Sequence, residues 1–340
     1  MKSRNKYDRI FILGSGFSKA FSSSMPSVAD LTAKLYDNSV QKGNELQGFL
    51  DTLTEIPTVE ASKTIEDITT IIFSKKVFNN VSEEDRYSKL RNQLLLFIYK
   101  EIAEYSVDEE AKSVLIKFLE ACCCGNDPNE GTNWGKNLLV TFNYDLLIEE
   151  MFAEHVGDYK IDYGIKFNQY TNFNIEPSSG GRFLTEYIKL HGSFNWFKAK
   201  GASDNNITSI YTVDKHNPNW FIHEDDIPEY IPMAHSKELF LHGTLYNTLW
   251  VKANYYFNNA KEIYFIGYGF PDTDFNNLYY FYQYKEKIKA VIVYYNNNDK
   301  KQHEEYVRLV NIFGNNIITN IDAKEYIANN VQNFCHYKLK

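Results

Sequence analysis

The chain has 340 residues, 44% of them apolar and 24% charged, which is enough to bury one large core or two modest ones and excludes a disordered chain. Its 44 acidic against 36 basic side chains give a net charge of −8, so the surface as a whole does not suit nucleic acid, and no direct sequence-specific nucleic-acid binding is expected. The start MKSRNKYDRI is polar where a secretory signal is apolar, and no run approaches the roughly 18–20 apolar residues of a membrane span, so a cytoplasmic protein with no membrane partner is expected.

In chain order, residues 10–13 are an unalternating apolar run that suits a strand buried on both faces of a parallel sheet. It stops at Gly14-Ser15-Gly16. Glycines there let backbone N–H groups approach an anion, and a helix starting just after adds its positive end, so the turn is either a phosphate cradle or a plain strand-turn-helix. The third glycine of G-x-G-x-x-G is missing, with Lys19 in its place. From about residue 32 to 135 the pattern is helical. Ser27 with Asp30 and Ser82 with Asp85 read as capping-box starts, and Leu90, Leu94, Phe97 and Ile98 fall at helical spacing. This stretch is expected to be a helical lobe inserted in the first crossover, leaving through the turn-rich residues 126–131. Cys122, Cys123 and Cys124 are contiguous and Cys335 is remote, a pattern of reduced, buried thiols with neither a disulfide framework nor a zinc knuckle.

Further strands are expected at residues 138–142, 187–190, 263–266 and 290–295, and helices at 146–155, 275–287 and 300–313. Strands alternating with helices predict a Rossmann-like, doubly wound parallel α/β sheet. Residues 216–236, rich in His, Asp, Glu and Pro, are expected to be a loop or lid. His216, His223, His235, Asp225 and Asp226 there lack metal-ligand spacing.

Ligands of such sheets gather outside the carboxyl ends of the strands, and three more strand ends carry polar groups. LLVTFNYDLL delivers Asn143 and Asp145, EYIKLHGSFNW ends at His191-Gly192, and EIYFIGYGFPDTDF ends at Gly267-Tyr268-Gly269 with Asp272 and Asp274 beyond. Asp145 reads equally as an N-cap of the next helix and as a pocket group; Asp272 and Asp274 are expected to cap the helix that follows them. His242-Gly243 repeats the dipeptide but reads as structural, and Tyr268, Trp196 and Phe17 read as pocket wall or core. An imidazole accepts protons at cellular pH, and a carboxamide orients a hydroxyl or water without charge, so His191 and Asn143 suit a base and its positioning partner.

The order G-S-G, T-x-N-x-D, H-G, G-Y-G resembles the sirtuin-like superfamily, and its bacterial defence-associated branch more than the protein deacylases. The resemblance implies one sirtuin-like domain over residues 1–340 with NAD as substrate. Gly14, Ser15, Gly16 and Ser18 would hold its pyrophosphate and adjacent ribose. Thr141, Asn143 and Asp145 match the T-x-N-x-D element, with Asn143 positioning the nicotinamide ribose or a water and Asp145 helping to hold the nicotinamide side. His191 matches the catalytic histidine. Gly267, Tyr268 and Gly269 match a G-x-S element, with Gly269 where serine is usual, and Asn296 would contact the adenosine. Deacylases carry a zinc lobe with paired C-x-x-C motifs after that histidine. No cysteine lies between His191 and Gly269, so no zinc lobe and no metal are expected. The implied activity is NAD hydrolysis to nicotinamide and ADP-ribose by the effector of an anti-phage, antiviral defence system. Such effectors imply a homo-oligomer and a separate regulatory partner, such as an ATPase or a nucleic-acid-guided protein. The alternatives are an NAD-dependent protein deacylase and a non-catalytic sensor of NAD or ADP-ribose.

Overall fold

The structure is a computed structural model and describes residues 7–37, 45–54, 63–74, 81–123, 137–155, 159–165, 183–198, 210–212, 227–235, 237, 244–294 and 300–334. Seven strands form one parallel sheet: β1 (Arg9–Leu13), β2 (Asn137–Thr141), β3 (Tyr159–Asp162), β4 (Phe183–Lys189), β8 (Glu262–Ile266), β9 (Ile288–Ile292) and β10 (Ile317–Ile318), in the spatial order β10-β9-β8-β1-β2-β4-β3. Antiparallel β5 (Gly192–Lys198), β6 (Ile210–Thr212) and β7 (Ile227–Tyr230) make a second, smaller sheet in the order β6-β5-β7. β1 lies between β2 and β8, with β2, β4 and β3 on one side and β8, β9 and β10 on the other, which makes the β1–β8 junction the switch point of a doubly wound sheet. The five strands expected from apolar runs are all present. β3, β10 and the small sheet lack such a run.

Eleven α-helices are found among the described residues. α1 (Ser15–Phe21), α2 (Val28–Tyr36), α3 (Glu45–Thr54), α4 (Ile65–Ser74), α5 (Val81–Ala103) and α6 (Glu109–Cys123) all fall between β1 and β2. The remaining helices are α7 (Leu147–His155), α8 (Thr244–Asn259), α9 (Phe275–Tyr282), α10 (Lys300–Phe313) and α11 (Ala323–Phe334). Ile10 to Leu13 are wholly buried because helices cover both faces of the sheet. Phe11 packs on Phe118 of α6 and Phe334 of α11, whereas Phe265, from the opposite face of β8, packs on Phe281 of α9.

The helical insertion forms as expected. Ser27 and Asp30 close a capping box at the start of α2, while α5 begins at Val81, so that Ser82 lies within its first turn. Residues 126–131, Cys124 and Cys335 lie outside the described residues, and Cys122 is buried in α6. Inside the stretch expected to be a loop or lid, residues 227–230 are instead strand β7, hydrogen-bonded to β5. The insertion docks on this small sheet. Tyr230 donates to the Leu95 carbonyl (2.7 Å), Tyr99 of α5 packs edge-on against Phe194 and Phe197, and the His235 ring meets Asp67 of α4 at 3.0 Å. No helix of the described residues is long and apolar enough to cross a membrane.

Candidate functional site

Parallel register brings the strand ends together. Leu13 is paired with both Thr141 and Ile266, and Thr141 with Lys189, so the turns after β1, β2, β4 and β8 emerge side by side. The first and last of these turns cross backbone to backbone. The Gly14 N–H donates to the Ile266 carbonyl (3.0 Å) and the Gly16 N–H to the Gly267 carbonyl (2.9 Å). Gly267 has φ +70°, and a Cβ there would lie 2.0 Å from the Phe17 nitrogen; a Cβ on Gly14 would lie 2.5 Å from the Gly267 oxygen. These glycines are therefore needed for the close approach of two main chains at the switch point, and two of the turn's N–H groups serve that contact. Ser15, between them, is exposed.

The T-x-N-x-D end is tied to the glycine turn. Thr141 is fully buried and donates to the Leu13 carbonyl (2.9 Å), while its oxygen accepts from the Asn143 N–H (3.0 Å). The Asn143 carboxamide donates both to the Gly14 carbonyl and to Ser18 Oγ, each at 2.8 Å. Ser18 in turn donates to Asp145 Oδ2 (2.7 Å), and Asp145 Oδ1 accepts from the Leu147 N–H (3.2 Å) at the start of α7. On one oxygen Asp145 thus bonds the N–H that opens α7, as a helix cap does, and on the other it holds Ser18.

Beneath this turn lies Lys189, without any exposed side-chain surface. Its ammonium donates to the carbonyls of Asp145 (2.6 Å) and Tyr144 (3.3 Å) and to Glu149 Oε1 (2.9 Å), so all three N–H donors are matched. Burial raises the carboxyl pKa of Asp145 and of Glu149, against the opposing pull of Lys189.

His191 lies in the two-residue turn between β4 and β5 and is 3% exposed. Its ring rests on the Phe142 ring, the centroids 4.9 Å apart. Burial, and then the ammonium of Lys237, push its pKa down to about 3, against weaker opposing effects of Asp274 and the Phe142 carbonyl. The imidazole is neutral at any cellular pH. Phe142 stacks on Tyr268 (4.7 Å, 22° between planes), and the Tyr268 hydroxyl donates to Asp274 Oδ2 (2.8 Å) while accepting from Asn277 (3.0 Å).

The expected capping by Asp272 and Asp274 is not what their carboxylates do. Asp274 stands at the N-cap position of α9 without a side-chain cap bond, its two oxygens being taken by Tyr268 and Lys237. Asp272 pairs with Arg308, whose guanidinium also donates to the Phe270 carbonyl (2.6 Å). That carbonyl belongs to a buried Phe at φ +51°, a left-handed conformation that a bulky side chain rarely adopts. Phe17 and Trp196 are core residues, against Phe118 and Tyr163 respectively.

The structure thus gathers Gly14, Ser15, Gly16, Ser18, Thr141, Asn143, Asp145, His191, Gly267, Tyr268 and Gly269 at one edge of the sheet. Asn296, His216, His223, Asp225, Asp226, His242 and Gly243 lie outside the described residues. No group of three or more His, Cys, Asp or Glu side chains among the described residues is placed to hold a metal ion. Sequence reasoning missed Lys189 and Lys237. A lysine inside an apolar parallel strand was itself a signal, since such strands are buried on both faces and a buried ammonium needs partners. Lys237, in SKELF, carried none.

No curated protein matches the chain. Among solved structures it is similar to a Sir2 homologue in complex with NAD, at 12% identity over 96% of this chain and 88% of that one with a TM-score of 0.42. It is also similar to Sir2Tm bound to a propionylated peptide, at 12% identity over 96% of this chain and 92% of that one with a TM-score of 0.39. Residues 137–313, which carry three of the four strand ends, match the SIR2-like domain family, and the chain belongs to that family.

Proposed function

We propose that this chain hydrolyses the nicotinamide–ribose bond of NAD, releasing nicotinamide and ADP-ribose, and that it is the effector of a bacterial anti-phage system. NAD carries a cationic nicotinamide, a good leaving group, so the reaction needs a stabilised oxocarbenium-like ribose and a positioned water; glycoside hydrolysis passes through a similar transition state. The bond between C1′ and the pyridinium nitrogen breaks with its electron pair going to nicotinamide, water adds to C1′, and the water proton passes to His191. The observation that carries this reading is the placement of His191, buried on the Phe142 ring at the strand end that the register sets beside the Asn143 turn. Asn143 is the positioning group at the neighbouring turn, its carboxamide held by Gly14 and Ser18. In this reading the exposed Ser15 and the outer side of the glycine turns meet the pyrophosphate, with Gly269 and Asn296 as further contacts. The defence role, a homo-oligomeric assembly and a separate activating partner, an ATPase or a nucleic-acid-guided protein, come with the resemblance.

Asn143→Ala is expected to lower nicotinamide release by at least about tenfold to a hundredfold, the size of effect lost when a reacting group is no longer held in place. Chromatographic measurement of nicotinamide and ADP-ribose checks it. Undiminished release by a folded Asn143→Ala protein would remove Asn143 from the reaction.

A further inference from the structure

We propose that Lys237 and Asp274 are positioning residues for this reaction: an ion pair brought from two separate crossovers seats Tyr268 against Phe142 and so fixes the ring on which His191 rests. The inference rests on His191 being the base of NAD cleavage, and it goes beyond that reading by assigning a role to two residues outside every sequence motif of the site except the aspartate-rich end of the fourth.

The chain of contact is continuous. Lys237 lies between β7 and α8 with its side chain 17% exposed, and it pairs with the 4% exposed carboxylate of Asp274, between β8 and α9. The other oxygen of Asp274 accepts from Tyr268, whose hydroxyl is held a second time by Asn277. With its hydroxyl fixed twice, the Tyr268 ring is a rigid plate, and Phe142 stacks on it. Phe142 then supplies the ring on which the His191 imidazole rests. Deleting any link frees the next.

Stability alone gives little reason for this pair. Taking an ammonium and a carboxylate out of water costs much of what their attraction returns, and apolar side chains of like volume often do as well. At an N-cap, moreover, an aspartate would stabilise α9 by bonding its N–H groups, and Asp274 forgoes that. Burial opposes its charge, yet Lys237 and the hydrogen bonds hold its carboxyl below the ordinary range, so the carboxylate of Asp274 is ionised at neutral pH.

Among the described residues the charged groups acting on His191 are these two. Lys237 disfavours the imidazolium and Asp274 favours it; Tyr268, pushed well above its ordinary pKa by burial, stays a neutral donor, and the β2–α7 turn contributes the Phe142 carbonyl. The segment bearing Lys237 is also anchored, through the Ile231 N–H to the His191 carbonyl (2.7 Å) and through His235 to Thr70 and Asp67 of the helical lobe.

The test compares the wild type with K237M, K237R and D274N, reading the His191 imidazole by NMR across pH and kcat and KM for nicotinamide release from NAD. K237M is expected to shift the His191 protonation equilibrium toward imidazolium by about tenfold, the effect of losing a nearby like charge. It is expected to lower kcat about tenfold with KM changed less than about threefold, as for an interaction made in the transition state. K237R, which keeps the charge, is expected to restore the imidazole titration, and D274N to shift it the opposite way. An imidazole titration and a kcat unchanged in K237M overturn the proposal. Should K237M fail to fold, the near-isosteric D274N decides by the same two readings. If the wild type releases no nicotinamide, the reading of the function has failed, and the NMR titration alone still decides whether the pair governs His191.

Discussion

His191→Ala is expected to reduce nicotinamide release by roughly 10²- to 10⁴-fold, the contribution of a positioned general acid or base. The reason is specific to this imidazole. It is buried and rests on the Phe142 ring beside the Asn143 turn, so it is held in place to take the proton of the attacking water. Steady-state kinetics at neutral pH check the loss, and a folded variant with wild-type kcat would take His191 out of the reaction. The same substitution has a signature in stability. In the unfolded chain a histidine titrates near about 6.5, and here the folded value is lower, so between about pH 6.5 and 3 the unfolded state binds one proton more. Stability from this group is complete above the unfolded pKa and falls as pH drops through that window, by up to about 1.4 kcal/mol per pH unit. His191→Ala removes this share of the slope. Denaturant unfolding at a series of pH values reads the difference, and superimposable slopes would contradict the burial of a neutral ring.

Gly267→Ala is expected to destabilise the protein by about 3 kcal/mol or more, without touching any titratable group. A residue with a side chain pays about 1–2 kcal/mol to adopt a left-handed conformation, and Gly267 stands at φ +70°. The larger part comes from its neighbours. A Cβ would sit 2.0 Å from the Phe17 nitrogen and 2.4 Å from the Gly16 carbonyl carbon, both main-chain atoms of the first turn, so the two turns must separate. Gly48, inside α3 with nothing within 4 Å of its would-be Cβ, is the matched control: Gly48→Ala is expected to raise stability by about 0.5–1 kcal/mol. Thermal unfolding of the two variants beside the wild type checks both signs. A Gly267→Ala protein as stable as the wild type would mean that the turns do not cross as described.

Much of this architecture was legible because parallel strands announce themselves as apolar runs. Residues 10–13 and 138–142 are buried on both faces, and the polar residues that follow each run are the ones the register sets side by side. The helical lobe was legible from spacing and from Ser27 and Asp30. What could not be read was pairing between distant segments. Nothing in GSG says that its glycines face Gly267, because the requirement is set by another main chain 251 positions later in the sequence and not by the turn's own sequence. Asp274 looked like a cap because an aspartate before a helix usually is one; its actual partners, Tyr268 and Lys237, arrive from a tight turn and from another crossover. β7 was hidden because four residues around Pro228 carry too little pattern to be told from a loop. Asp145 read equally as a cap and as a pocket group, and one of its oxygens does bond the N–H that opens α7.

The measurement that bears most directly on the function is nicotinamide release from NAD by the purified protein with no acylated peptide present, repeated with an acetyl-lysine peptide and with candidate activating partners. Stoichiometric nicotinamide and ADP-ribose from NAD alone, or once a partner is added, unaffected by the peptide and absent in His191→Ala, is the expected result. Release that appears only with the acylated peptide would contradict hydrolysis and assign the site to deacylation.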